Sequence, residues 1–320
     1  MSRVIHLSLN VSDEEGAQLA KVYHVGSYFP LFVLADGNGD IITRWTGYTS
    51  ARRFIVSLNK ALADRITIKQ RTERHRTNPN TRDALFLANY SKSIGEFLSA
   101  IDYYRQIQKL SGRDYSMQIF ESSANAAWSG LIPFDTVMLA ADVILKAKNR
   151  NNRNVQKIAR LMGNLARKLH TTDKIARYIE AGIEVTAKSQ EAKTIESHYR
   201  FLADKALYIA ADTAEALQLE KESLGKDWQT NPTKFYSFGL WCYQRGINLE
   251  EAESYVRRAL ERASSGYFKA KHHDLLAEIS FALGNTEEAI RQTELALQEE
   301  PSSEFYEKQL QRFRKALEEQ

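Results

Sequence analysis

The sequence predicts an α+β protein, a short α/β piece followed by a long all-α repeat array. Three observations predict it. Residues 25 to 48, VGSYFPLFVLADGNGDIITRWTGY, read as a loop, a strand, a tight turn and a returning strand. From Asp83 onward the apolar residues recur at helical spacing, interrupted by short breaks. Within that helical part, small residues recur at fixed intervals, the mark of an internal repeat.

Taken in order, RVIHLSLNV at residues 3 to 11 alternates, with Ile5, Leu7, Leu9 and Val11 on one face, and predicts a strand. Ser12 followed by Glu15 reads as a capping box opening a helix that runs to about Tyr23. Leu31 to Ala35 is wholly apolar, as expected of a strand covered on both faces. Asp36-Gly37-Asn38-Gly39-Asp40 has hairpin-turn chemistry, Ile41 to Thr46 is the returning strand, and Thr49 or Ser50 caps a helix to about Ala63. Residues 67 to 82 contain few apolar side chains, a basic cluster and an Asn-Pro-Asn breaker, and predict a linker between residues 1–66 and 83–320. Only three prolines follow residue 80, Pro133, Pro232 and Pro301, each where a helix should begin or end.

In HDLLAEISFALGNTEEAIRQTELALQEEP, the positions Leu276, Ala277, Gly284, Ala289, Ala296 and Pro301 fall at the spacing of a tetratricopeptide repeat, which the segment resembles. Ser280 and Thr293 depart from that pattern, standing where a tyrosine and another aromatic are usual. The preceding unit repeats the pair Ala252/Ala259, and LANYSKSIGEFLSAIDYYRQI gives Leu87, Ala88, Gly95, Ala100, Tyr104 and Ile107 at the same intervals. Between residues 113 and 224 the units are helical pairs with poor agreement. About five or six pairs are expected, with residues 302 to 320 as a charged capping helix.

The order strand, helix, loop-Pro, strand, turn, strand, Gly, helix in residues 3 to 63 resembles the second half of a thioredoxin fold. The resemblance lies in AKVYHVGSYFPLFVLADGNGDIITRWTGY and makes Pro30 the counterpart of that family's cis proline. It implies a parent thiol-disulfide oxidoreductase. The CxxC segment of that family has no counterpart here, so the chain as given is expected to be catalytically inert. The strand leading into CxxC would sit between the strands matching residues 4 to 10 and 31 to 35, so two apolar edges lose their neighbour. Three arrangements answer this: a longer natural protein, closure of the two strands on each other, or a strand supplied by a partner. The first is expected.

Composition excludes more than it assigns. The chain has 320 residues, a net charge of +4 and one cysteine, Cys242. One thiol forms neither an internal disulfide nor a redox pair, and Cys242 lies in the helical part. No apolar run is long enough for a membrane span, and MSRVIHLSLN has no signal-peptide character. A soluble, cytoplasmic chain is expected, or a periplasmic one if an N-terminal extension exists. No metal site or cofactor is expected: His272 and His273 are adjacent on a helix and do not converge on one ion, and Asp36 to Gly39 lies between strands rather than opening a helix.

Two candidate binding features remain. Phe29 and Pro30 are the peptide-binding positions that the thioredoxin resemblance implies, through backbone pairing with an extended chain. Residues 146 to 174 carry nine Lys or Arg against one acidic residue, Asp173; a solvated helix face is expected there, and an RNA-binding face is the weaker alternative. The aromatic run Phe235, Tyr236, Phe238, Leu240, Trp241 and Tyr243 is expected to be inter-repeat core. The expected function is a non-catalytic protein-binding scaffold of redox or quality-control parentage. The alternative is a pure helical-repeat interaction module with the α/β piece as a cap. In both, the partner is a protein or extended peptide, and nucleic acid is not expected.

Overall fold

A computed structural model describes residues 4–11, 13–25 and 30–319. The chain divides into two compact units, residues 1–147 and 148–320.

The first unit opens with α1 (Glu14–Val22), β1 (Leu31–Ala35), β2 (Ile41–Thr46) and α2 (Ala51–Ala63). Asp13 caps α1, its Oδ1 accepting from the Gly16 N–H at 2.7 Å; the expected cap, Ser12, lies outside the described residues. The turn forms as its residues dictate. Asp36 Oδ1 accepts from the N–H groups of Asn38 and Asp40 at 2.9 and 3.0 Å, and Gly39 takes the left-handed φ of +82° that closes it. β1 and β2 pair antiparallel, with Phe32 opposite Trp45. Those two rings stack at 5.5 Å, and Phe54 of α2 packs 4.9 Å from Phe32. Ser50 caps α2, accepting from the Arg53 N–H at 3.3 Å.

The expected first strand is not formed. Residues 4 to 10 have no regular structure, and Ile5 and Leu7 are 99% and 71% exposed. Alternation makes a strand only where a neighbour completes the backbone ladder, and the sheet of the described residues has two strands, β1 and β2. β1, expected to be covered on both faces, is half-buried along its length. The α/β piece is thus a hairpin between two helices rather than the larger sheet the thioredoxin resemblance implies.

The segment expected as a linker is helical. Thr67 and Gln70 form a reciprocal capping box that opens α3 (Ile68–Thr77). Its interior is held by ions rather than apolar side chains. Arg71 is 0% exposed, lies 2.7 Å from Asp64 and 3.2 Å from Asp83, and stacks 4.0 Å from the Phe86 ring centroid. α3 touches β2 on one side and α4 (Thr81–Ser93) on the other. Helical hairpins follow: α4 with α5 (Phe97–Ser111), then α6 (Ser116–Trp128) with α7 (Phe134–Leu145). Leu87, Ala88, Ala100, Tyr104 and Ile107, the first repeat's signature, are all buried.

The second unit comprises α8 (Asn152–Lys168) with α9 (Ala176–Thr186), α10 (Ala192–Tyr208) with α11 (Thr213–Ser223), α12 (Pro232–Arg245) with α13 (Leu249–Leu260), and α14 (Tyr267–Ala282) with α15 (Thr286–Glu299), closed by α16 (Glu304–Glu318). Small residues set the approach within each pair. A Cβ on Gly239 of α12 would lie 2.2 Å from Val256 Cγ2 of α13, and Ala252, Ala259, Ala277, Ala289 and Ala296 are fully buried. Thr293, unusual at its repeat position, satisfies its buried hydroxyl by donating to the Ala289 carbonyl at 2.9 Å. Phe235, Phe238 and Trp241 are core, as expected of the aromatic run. No helix among the described residues is long and apolar enough to cross a membrane.

Candidate functional site

α8 is strongly two-faced. Val155, Ile158, Ala159, Met162, Leu165 and Ala166 are buried. Arg153, Lys157, Arg160, Asn164 and Arg167 fall at i, i+4, i+7, i+11 and i+14, one stripe of a 3.6-residue helix, and all five line one groove. α10 adds Lys193 and Arg200 to its lining, and α12 adds Arg245, Leu240 and Trp241. The groove encloses about 790 Å3 within the second unit. It therefore runs across the first helices of three consecutive hairpins.

Its charge is one-sided. The lining holds seven cationic residues and two acidic ones, Glu196 and Asp204. Both acids are already engaged. Glu196 Oε1 lies 2.9 Å from Arg200 Nη1. Asp204 Oδ1 accepts from Arg245 Nε and Nη2 at 3.2 and 2.6 Å, and its Oδ2 lies 3.5 Å from Arg167 Nη1. At the rim, Arg153, Arg160 and Lys193 are exposed, and no carboxylate among the described residues pairs with them. The floor is stiffer. The Arg245 guanidinium stacks 4.3 Å from the Trp241 ring centroid and its side chain is 4% exposed. Burial, with Arg245 nearby, pulls the Arg167 guanidinium below its ordinary value. Behind the floor, Glu220 of α11 is fully buried, and burial pushes its carboxyl up to about 7 against the pull of Arg200 and Arg245.

A row of cations beside low-dielectric walls concentrates positive potential, and arginine forks match carboxylate geometry. The wall offers no exposed aromatic platform, because Phe201 and Trp241 are 5% exposed each; base stacking of single-stranded nucleic acid has no surface there.

The sequence drew attention to residues 146 to 174 but favoured a merely solvated face. The structure places that stretch's stripe on the groove and adds Lys193, Arg200 and Arg245, which the reading missed. The i, i+4, i+7, i+11, i+14 spacing on α8 is the signal that was available; the residues on α10 and α12 have no local signal. Of the peptide-binding pair, Phe29 lies outside the described residues. Pro30 is exposed, and its carbonyl accepts from the Gly47 N–H at 2.8 Å, within the hairpin. His272 Nδ1 donates to the Phe268 carbonyl at 2.7 Å and His273 Nδ1 to Gln292 Oε1 at 2.7 Å. Cys242 is fully buried, and burial pushes its thiol up to about 12.

Comparison with known proteins bears on the fold. No protein-family model matches the chain, and no curated protein matches it by sequence. A tetratricopeptide repeat protein from Parabacteroides merdae superposes with a TM-score of 0.54 at 12% identity, over 82% of this chain and 96% of that one. Yeast Tom70 superposes with a TM-score of 0.29 at 14% identity, over 80% of this chain and 62% of that one, too weakly to carry an argument. The first likeness shows the fold: this is a mostly helical chain of tetratricopeptide type with a small two-stranded sheet. A thioredoxin-like domain finds no support in these comparisons.

Proposed function

We propose that this chain is a helical-repeat interaction module that holds an acidic, extended segment of a partner protein in the groove of α8, α10 and α12. The observation that carries the reading is the charge of that groove, seven cations against two acids that are already paired. The tetratricopeptide-type fold supports it, since paired helices present their first members side by side along one surface. Packed helices stand ~8–10 Å apart, so α8 to α12 spans roughly 20 Å. That is the length of about six extended residues at ~3.3 Å each.

In this reading the α/β piece is a cap on the first unit: the hairpin rests on α3, and α3 on α4. The thiol-redox parentage stays behind it, because it rests on sequence resemblance alone. Backbone pairing at Phe29 and Pro30 stays with that second reading.

The test is fluorescence anisotropy with a labelled hexaglutamate peptide and a Gly/Ser peptide of equal length. Saturable binding of the acidic peptide is expected, weakening steeply between low and physiological salt, with none of the neutral one. Equal affinity for both, or binding insensitive to salt, contradicts it.

A further inference from the structure

Glu220 is the least comfortable charged residue in the second unit. It is 0% exposed, and neither carboxylate oxygen has a hydrogen-bond donor. Ser223, one turn on, spends its hydroxyl proton on the Glu220 backbone carbonyl at 2.7 Å. The nearest cation is Arg200, whose Nε lies 3.5 Å from Oε1, too far for a good hydrogen bond. The other groups facing Glu220 are Asp204 from α10, and Arg245 and the Cys242 thiol from α12. Lys221, its neighbour on α11, is turned toward Glu251 of α13 at 2.8 Å. Arg167 of α8 joins the cluster only through Asp204.

A buried carboxylate without a donor is costly in its charged form. Its ordinary escape is to take up a proton. Here that choice is tied to the groove, because Arg200 belongs to both. Its side chain is 39% exposed in the groove, and its Nε faces Glu220. With Glu220 ionised, Arg167, Arg200 and Arg245 stand against Asp204, Glu220 and Glu196, the last 2.9 Å from Arg200 Nη1, and the charges balance. With Glu220 protonated, one positive charge is in surplus.

We propose that Arg200 forms a subsite on the groove floor for a carboxylate of the acidic ligand, with buried Arg245 adding positive potential behind it, and that Glu220 takes one proton from solvent when that carboxylate arrives. This deepens the function proposed above and rests on it. The ligand carboxylate and Glu220 compete for the same guanidinium, so binding the first makes the second bind its proton more tightly. By reciprocity, lowering the pH tightens the ligand. No covalent bond changes; one proton moves from buffer to Glu220.

The experiment is isothermal titration of the full chain with acetylated, amidated hexaglutamate, whose carboxylates stay ionised above pH 6. It is run at pH 8 and pH 6, in buffers of low and high ionisation enthalpy. The wild type is expected to absorb a substantial fraction of a proton at pH 8. Its affinity should rise from pH 8 to pH 6 by at least about fivefold, the lower end of ordinary site-to-site coupling. Glu220→Gln is nearly isosteric and keeps every histidine. It should bind at both pH values with the wild type's pH 6 affinity and without proton uptake. Arg200→Gln, a second variant, should bind more weakly and also without uptake. Tight binding by the wild type with no uptake, or unchanged pH dependence in Glu220→Gln, overturns the subsite while leaving the groove as the binding site. Failure of the peptide to bind at either pH removes the reading beneath it, and the subsite with it.

Discussion

Arg245 of α12 donates two hydrogen bonds, at 2.6 and 3.2 Å, to a single oxygen of Asp204 on α10. The pair ties two consecutive repeats together beneath the groove, and its side chains are 4% and 11% exposed. Removing one member leaves a buried charge without its counterpart. Asp204→Asn is expected to destabilise the second unit by about 3 kcal/mol, the usual cost of breaking such a pair. Replacing both with apolar residues, Asp204→Leu with Arg245→Met, should recover much of that. Urea denaturation of Asp204→Asn and of the double variant, each against the wild type, measures both quantities.

Gly239 of α12 lies against α13 with no room for a side chain. Alanine is worth ~1 kcal/mol more than glycine inside an isolated helix, so helix propensity alone makes Gly239→Ala stabilising. The added methyl would lie 2.2 Å from Val256 Cγ2 and 3.3 Å from the Ala252 carbonyl oxygen. Val256 is fully buried and β-branched, with little freedom to move away. Overpacking of this kind costs roughly 1–3 kcal/mol and should win. A lowered melting temperature in thermal unfolding confirms that order of effects, and a raised one reverses it.

Two buried carboxyls should give the units opposite responses to pH. Asp83 is held down at about 2, first by the Arg74 hydrogen bond and then by those of Asn80 and Arg71. Its contribution, about 2 kcal/mol, is fully present above its unfolded value near 4 and is lost as pH falls toward 2. Asp83→Asn should lower stability at pH 7 and flatten the acid limb of the first unit. Glu220 is pushed the other way, up to about 7 by burial. Between its unfolded value near 4.3 and 7 the folded chain keeps a proton that the unfolded chain has released, so stability falls as pH rises through that window. Glu220→Gln should add about 3 kcal/mol at pH 8 and almost nothing at pH 4.5. Denaturant titrations across pH 3 to 8 read both slopes.

Cys242 of α12 sits in the core of the second unit, with its thiol pushed up to about 12. Thiolate is the reactive form. A thiol reagent at pH 8 should label the native chain only at the rate of unfolding and label the denatured chain at once. Rapid native labelling contradicts this placement.

The helical repeats were legible because their signal is local. Leu276, Ala277, Ala289 and Ala296 announce a tight helix pair within one short stretch, and all four are fully buried. The hairpin was legible for the same reason, through Asp36 to Asp40. The segment RVIHLSLNV misled because a strand needs a partner that its own residues do not specify, and Ile5 and Leu7 remain exposed. α3 was hidden because it buries Arg71 and His75 where a helix normally buries apolar side chains. The groove was half-visible. The stripe on α8 is written at helical spacing, but Arg200 and Arg245 join it only once three hairpins have packed.

The most direct test of the groove compares two charge-reversed variants of equal net charge. Arg153→Glu with Arg160→Glu alters its rim, whereas Lys226→Glu with Arg262→Glu alters exposed positions of the same unit outside its lining. At about 0.7 kcal/mol per reversed contact, the first pair should weaken hexaglutamate binding about tenfold, and the second pair should leave it close to wild type. Equal losses in both would show that net charge alone attracts the peptide and that the groove of α8, α10 and α12 is not where it sits.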